Sequence, residues 1–116
     1  MNRLVLGSEA VGRAFLDRLA DRSRSLLVLV EDADRAESLR ESGIDARRVD
    51  ITAVGDVRTV AGEVDSIVAA PAGAERLRQV VDTARSAYPR AFVMACLDEH
   101  TTDGDHEAIA AKADRL

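Results

Sequence analysis

The chain has 116 residues, 47% apolar and 32% charged, with a net charge of −5 and a pI near 5.0. That length suits one domain with a core of its own. An acidic balance excludes a domain that grips nucleic acid through a basic face. The lone Cys96 excludes an internal disulfide and a cysteine metal cluster.

No stretch reaches the roughly 20 apolar residues of a membrane span. No secretory leader is expected either, because the segment from Met1 to Leu6 runs straight into a glycine turn. Aromatics make up 3%, so the core must be aliphatic. Of the 16 basic residues, 15 are arginine and one is Lys112. A salt-adapted cytoplasm and a GC-rich genome both give that bias.

The elements follow in chain order. Leu4-Val5-Leu6 reads as a strand feeding the turn Gly7-Ser8-Glu9-Ala10-Val11-Gly12. A helix beginning near Ala10 is predicted next, with Val11, Ala14, Phe15 and Leu19 as its apolar face. Leu26 to Val30 form a second apolar strand. Asp32 or Asp34 caps a helix containing Ala36 and Leu39, which Gly43 ends. Ala46 to Val49 form a third strand, and Val57, Val60 and Ala61 mark a short helix. Ser66 to Ala70 form a fourth strand, followed by the clearest helical stripe: Leu77, Val80, Val81, Ala84 and Tyr88, stopped by Pro89. Ala91 to Cys96 form a fifth strand, and Ile109, Ala113 and Leu116 suggest a last helix.

Continuous apolar strands alternating with helices specify an α/β fold: a doubly wound parallel sheet of five strands in the order 3-2-1-4-5, Rossmann-like. Residues 1–116 make one such domain, expected to be the N-terminal piece of a longer protein.

The turn after the first strand carries the chemistry. A strand, a glycine turn and a helix start are the context of a dinucleotide fingerprint, in which helix-terminal N–H groups hold a pyrophosphate. Gly7 and Gly12 occupy the first and third glycine positions, and Glu9 replaces the middle one. Its side chain crowds the ligand and its charge repels it. The acid that receives ribose hydroxyls belongs at the end of the second strand. Counting back from the helix puts Val30 there, with Glu31 one residue later.

This sequence resembles the N-terminal domain of the TrkA/RCK family of potassium-transport regulators. The resemblance covers nearly all of the chain. It rests on LVLGSEAVGRAFLDRL, on EDADRAESLRESGIDARRVDIT and on DSIVAAP with its following helix. Asp50 and Thr52 match the family's Asp-x-Thr loop. The resemblance implies a cytoplasmic, dimeric module that binds NAD or an adenine nucleotide and acts on an attached channel, transporter or enzyme. It implies a cofactor site built from Gly7, Ser8, Glu9, Ala10, Val11, Gly12, Glu31, Asp32, Asp50, Thr52 and Ala70. A narrower resemblance is to the TrkA-like domains of some DHH-type (RecJ-like) phosphoesterases of salt-adapted prokaryotes. The chain itself holds no Asp-His-His triplet.

No catalytic residue is assigned, and no tightly bound cofactor is expected, because Glu9 and Val30 weaken the NAD site. An enzyme reading, as the cofactor domain of an oxidoreductase, needs a substrate domain that this length does not supply. A working NAD(H)- or adenine-nucleotide-sensing domain is the other alternative.

The remaining reactive side chains have plainer roles. The segment Leu97 to Glu107 holds both histidines, but its spacing matches no metal cage. Cys96 suits a small core residue. Ser8 lacks the spacing of a nucleophile elbow. Arg47 and Arg48 point to opposite faces of their strand, so one of them can reach a ribose or phosphate. Ala69-Ala70-Pro71-Ala72 either leaves room for a ligand or packs closely.

Overall fold

The structure, a computed structural model, describes residues 2–9, 11, 13–22 and 25–96. Its elements are β1 (Asn2–Leu6), α1 (Arg13–Arg22), β2 (Ser25–Val30), α2 (Ala33–Glu41), β3 (Ala46–Arg48), α3 (Val54–Ala61), β4 (Ser66–Ala69), α4 (Ala74–Ala87) and β5 (Phe92–Ala95). The sheet is parallel throughout, in the order β3-β2-β1-β4-β5. The expected five-strand doubly wound topology is therefore the observed one. The predicted last helix and the histidine-containing segment lie outside the described residues, as do Ala10 and Gly12.

Period-two alternation divides each strand between two cores. Leu4, Leu6, Leu29, Ile67, Ala69, Val93 and Ala95 face α3 and α4, where Val57, Leu77, Val80, Val81 and Ala84 meet them. Val5, Val28, Val30, Val68 and Ala70 face α1 and α2, where they meet Leu16, Leu19, Ala36 and Leu39. Both faces are covered at the centre of the sheet, so the inner stretches 4–6, 28–30 and 67–69 are apolar at every position.

One local expectation changes, and one pair of alternatives resolves. α1 begins at Arg13 rather than near Ala10. Its buried residues are Leu16 and Leu19, with Phe15 and Val11 packed at the side and Ala14 exposed. The buried stripe runs through Leu16 and Leu19, with Phe15 at its side. At α2, Asp32 is the cap: its carboxylate accepts the Asp34 N–H at 2.9 Å. At the far end of α4, the Tyr88 hydroxyl donates to the Gly62 carbonyl at 2.6 Å, tying α4 to the end of α3. Burial raises the Tyr88 phenol above its usual range.

Candidate functional site

The carboxyl ends of β1, β2, β3 and β4 share one rim, at the switch point where doubly wound sheets hold ligands. The glycine turn lies at its centre. The Gly7 N–H donates to the Leu29 carbonyl at 2.8 Å, which holds the turn against the end of β2. Gly7 takes φ +77°, and a Cβ on it would lie 3.0 Å from Pro71 Cα and N. The small residues after β4 therefore pack closely on the turn. Ala70 joins this seam through its N–H, which donates to Leu6 O at 3.0 Å.

Glu9 is exposed, and its Oε2 accepts the Ser8 N–H at 3.0 Å. With α1 starting at Arg13 rather than near Ala10, Glu9 lies in the turn and not beside the first helical turn. It caps the turn instead. The Val11 N–H donates to Ser8 O at 3.2 Å. Gly7, Ser8 and Val11 thus all direct their N–H groups to acceptors of the protein itself.

Val30 is fully buried in the core under α1 and α2. Its side chain faces that core and not the rim. β2 ends there, and the next residue, Glu31, turns into the cleft. Its Oε1 accepts from Arg76 Nη2, on the first turn of α4. Arg76 Nη1 also reaches Gln79 Oε1 at 3.3 Å. Arg48 Nε donates to the Glu31 carbonyl at 3.1 Å. Glu31, Arg48, Val49 and Asp50 line a cleft of about 320 Å³.

Asp50 and Thr52 form a closed local turn. Asp50 Oδ1 accepts the Thr52 hydroxyl at 2.7 Å and the Thr52 N–H at 3.0 Å. These two bonds, with Arg76 nearby, hold the Asp50 carboxyl below its ordinary value of 3.8. A depressed carboxyl stabilises the fold fully above its unfolded value, and the contribution disappears as pH falls through the folded one. Thr52→Val, which removes the hydroxyl donor, is expected to move the Asp50 pKa back toward 3.8, as read by NMR titration. An unmoved Asp50 titration would show that the hydroxyl bond does not hold the carboxyl.

Asp32 belongs to the helix cap, and Val11 packs against the core. Two residues that the sequence reading passed over bear directly on the site. Arg76 bridges the cleft, and Arg35 Nε donates to the buried Ser8 Oγ at 3.0 Å. Both occupy the first turn of a helix, where a cation opposes the dipole. That misplacement was the available signal. Burial raises the Cys96 thiol, in keeping with its place beside the apolar core. Among the described residues no group of histidine, cysteine and acidic side chains is arranged to hold a metal ion. No helix among them is long and apolar enough to cross a membrane.

No family model matches the chain, and no curated protein matches it. Solved structures do. The TrkA-N domain of the inner membrane protein ybaL from Escherichia coli is 18% identical with a TM-score of 0.81, over 98% of this chain and 84% of that one. The NAD(P)-binding domain of an exopolyphosphatase-related protein from Archaeoglobus fulgidus is 20% identical with a TM-score of 0.78, over 99% of this chain and 86% of that one. The GsuK channel bound to NAD is 20% identical with a TM-score of 0.76, over 98% of this chain and 20% of that one. At these identities the likeness establishes the Rossmann-like fold alone.

Proposed function

We propose that this chain is a TrkA-N-like regulatory or assembly module with a degraded dinucleotide site, not an enzyme by itself. The observation that carries the reading is the state of the glycine turn. Gly7, Ser8 and Val11 spend their N–H groups on Leu29, Glu9 and Ser8. In a working fingerprint, backbone donors of this turn face a pyrophosphate. Here a carboxylate has taken one of them, and the same carboxylate repels a diphosphate.

The partner module is a DHH-type phosphoesterase or a potassium-transport system. The likeness to a domain of an exopolyphosphatase-related protein favours the first, and the likeness to ybaL and GsuK the second. The module works in the cytoplasm as a homodimer. The cleft of about 320 Å³ is at the small end of the ~300–1,000 Å³ range of ligand sites, which suits a nucleoside better than a whole dinucleotide.

A second reading, a working NAD sensor, draws on the NAD bound to GsuK. Calorimetric titration separates the two. The purified chain is expected to carry no NAD and to bind added NAD more weakly than about 100 μM, a free energy near 5.5 kcal/mol. Low-micromolar binding would overturn the degraded site and establish the sensor.

A further inference from the structure

Glu31 and Arg76 approach each other from opposite sides of the glycine turn. Glu31 follows the end of β2, and Arg76 stands in the first turn of α4, which follows β4. β1, whose carboxyl end carries the turn, lies between β2 and β4. Strands two places apart in a sheet are separated by about 9–10 Å, a span that a glutamate and an arginine cover together. The pair between Glu31 Oε1 and Arg76 Nη2 therefore passes over the end of β1, where the strand order reverses. Ligands of doubly wound sheets lie across that point.

The fold does not need this contact. The Arg76 and Glu31 side chains are 33% and 39% exposed, so neither belongs to the core. An arginine in the first turn of α4 opposes the helix dipole, whereas its neighbour Glu75 suits it. Yet both ends of the pair are held in place. Arg48 Nε fixes the Glu31 carbonyl at 3.1 Å, and Gln79 Oε1 accepts from Arg76 Nη1 at 3.3 Å.

We propose that the Glu31–Arg76 pair is an autoinhibitory bar across the mouth of the cleft, which keeps an adenine nucleoside out and loosens as ionic strength rises. The proposal rests on the reading of this rim as a nucleotide-binding fold with a degraded dinucleotide site. Glu31 lines the cleft of about 320 Å³, so the closed pair sets a guanidinium at its edge and ties up its carboxylate. A site that binds only when open has its affinity reduced by the open fraction. A half-exposed ion pair favours the closed form by about two- to fivefold. Salt screens such a pair, since the Debye length falls from about 30 Å at 0.01 M to about 3 Å at 1 M.

The test titrates adenosine, a neutral ligand that carries no phosphate charge of its own, into the 116-residue chain and follows it by NMR. Arg76→Met and Glu31→Gln are each expected to raise the affinity about two- to fivefold, and the double variant no further, because both break one bar. Arg76→Lys should keep part of the closure. Raising KCl from 0.01 M to 1 M should lift the affinity of the unmodified chain toward that of Arg76→Met, whose own affinity changes less. Circular dichroism confirms that each variant is folded. An unmoved Glu31 carboxyl-carbon resonance in Arg76→Met overturns the bar without reference to any ligand. Equal adenosine affinity in the unmodified chain and Arg76→Met overturns the bar and leaves the nucleoside cleft standing. Binding by none of the proteins at millimolar adenosine overturns the bar together with the nucleoside reading, leaving the assembly role alone.

Discussion

Glu9→Gly is expected to tighten binding of NAD or ADP by about one to two decades. At about 5 Å and an effective dielectric near 20, a carboxylate facing one phosphate charge costs roughly 3 kcal/mol, or about two decades. Solvent around the exposed Glu9 reduces that toward the lower figure. The substitution also releases the Ser8 N–H, now held at 3.0 Å by Glu9 Oε2, and removes the side chain that crowds the turn. Stability should fall slightly, by about 1 kcal/mol, through the lost charge-assisted bond and the freer unfolded chain. Parallel titrations of both proteins at several salt concentrations check the result. An unchanged affinity would mean that Glu9 is not what weakens the site.

Among the described glycines, Gly7→Ala should be the most damaging added methyl. The backbone there sits at φ +77°, which costs an L residue about 1–2 kcal/mol. The added Cβ would meet the Pro71 backbone at 3.0 Å. Backbone atoms between β4 and α4 yield less readily than the end of a side chain, so overpacking adds about 1–3 kcal/mol. The expected loss is about 2–5 kcal/mol, which lowers the melting temperature by roughly 8–20 °C for a domain of this size. Gly43→Ala is the control. Its φ is +87°, yet nothing lies within 4 Å of its Cβ position, so it carries the backbone strain without the clash. Equal losses in the two variants, measured by thermal unfolding, would show that Pro71 moves aside.

The topology was legible because its cause is compositional: strands buried on both faces leave continuous apolar runs. The stripe Leu77, Val80, Val81 and Ala84 was equally legible, since one long helix crosses one core. The face of α1 was not fully legible because Phe15 and Leu16 are adjacent apolar residues about 100° apart, and periodicity alone does not say which of them is centred on the core; Leu16 is buried and Ala14 exposed. At the site, the sequence exposed the irregular turn and its Glu9. It did not expose where Val30 and Glu31 point, because that depends on where β2 ends. Arg35 and Arg76 were the least legible. They meet Ser8 and Glu31 only once the chain has folded, at separations of 27 and 45 residues. A surface arginine on a helix carries no local mark of such a partner, except for its place in the first turn.

The central position of β1 shapes how the chain is made. β1 pairs with β2 on one edge and with β4 on the other. A ribosome delivers the first partner soon after β1 but withholds the second until Ser66 to Ala69 have been synthesised. During that interval one edge of β1 stays open. The side of Leu4 and Leu6 that α4 later covers stays wet as well. A nascent chain in this state presents an unpaired strand beside aliphatic surface, the combination that recruits chaperones or seeds aggregation. The β1–β4 seam, held in the finished protein by Gly7 against Pro71, is thus also the last junction of the sheet's interior to close.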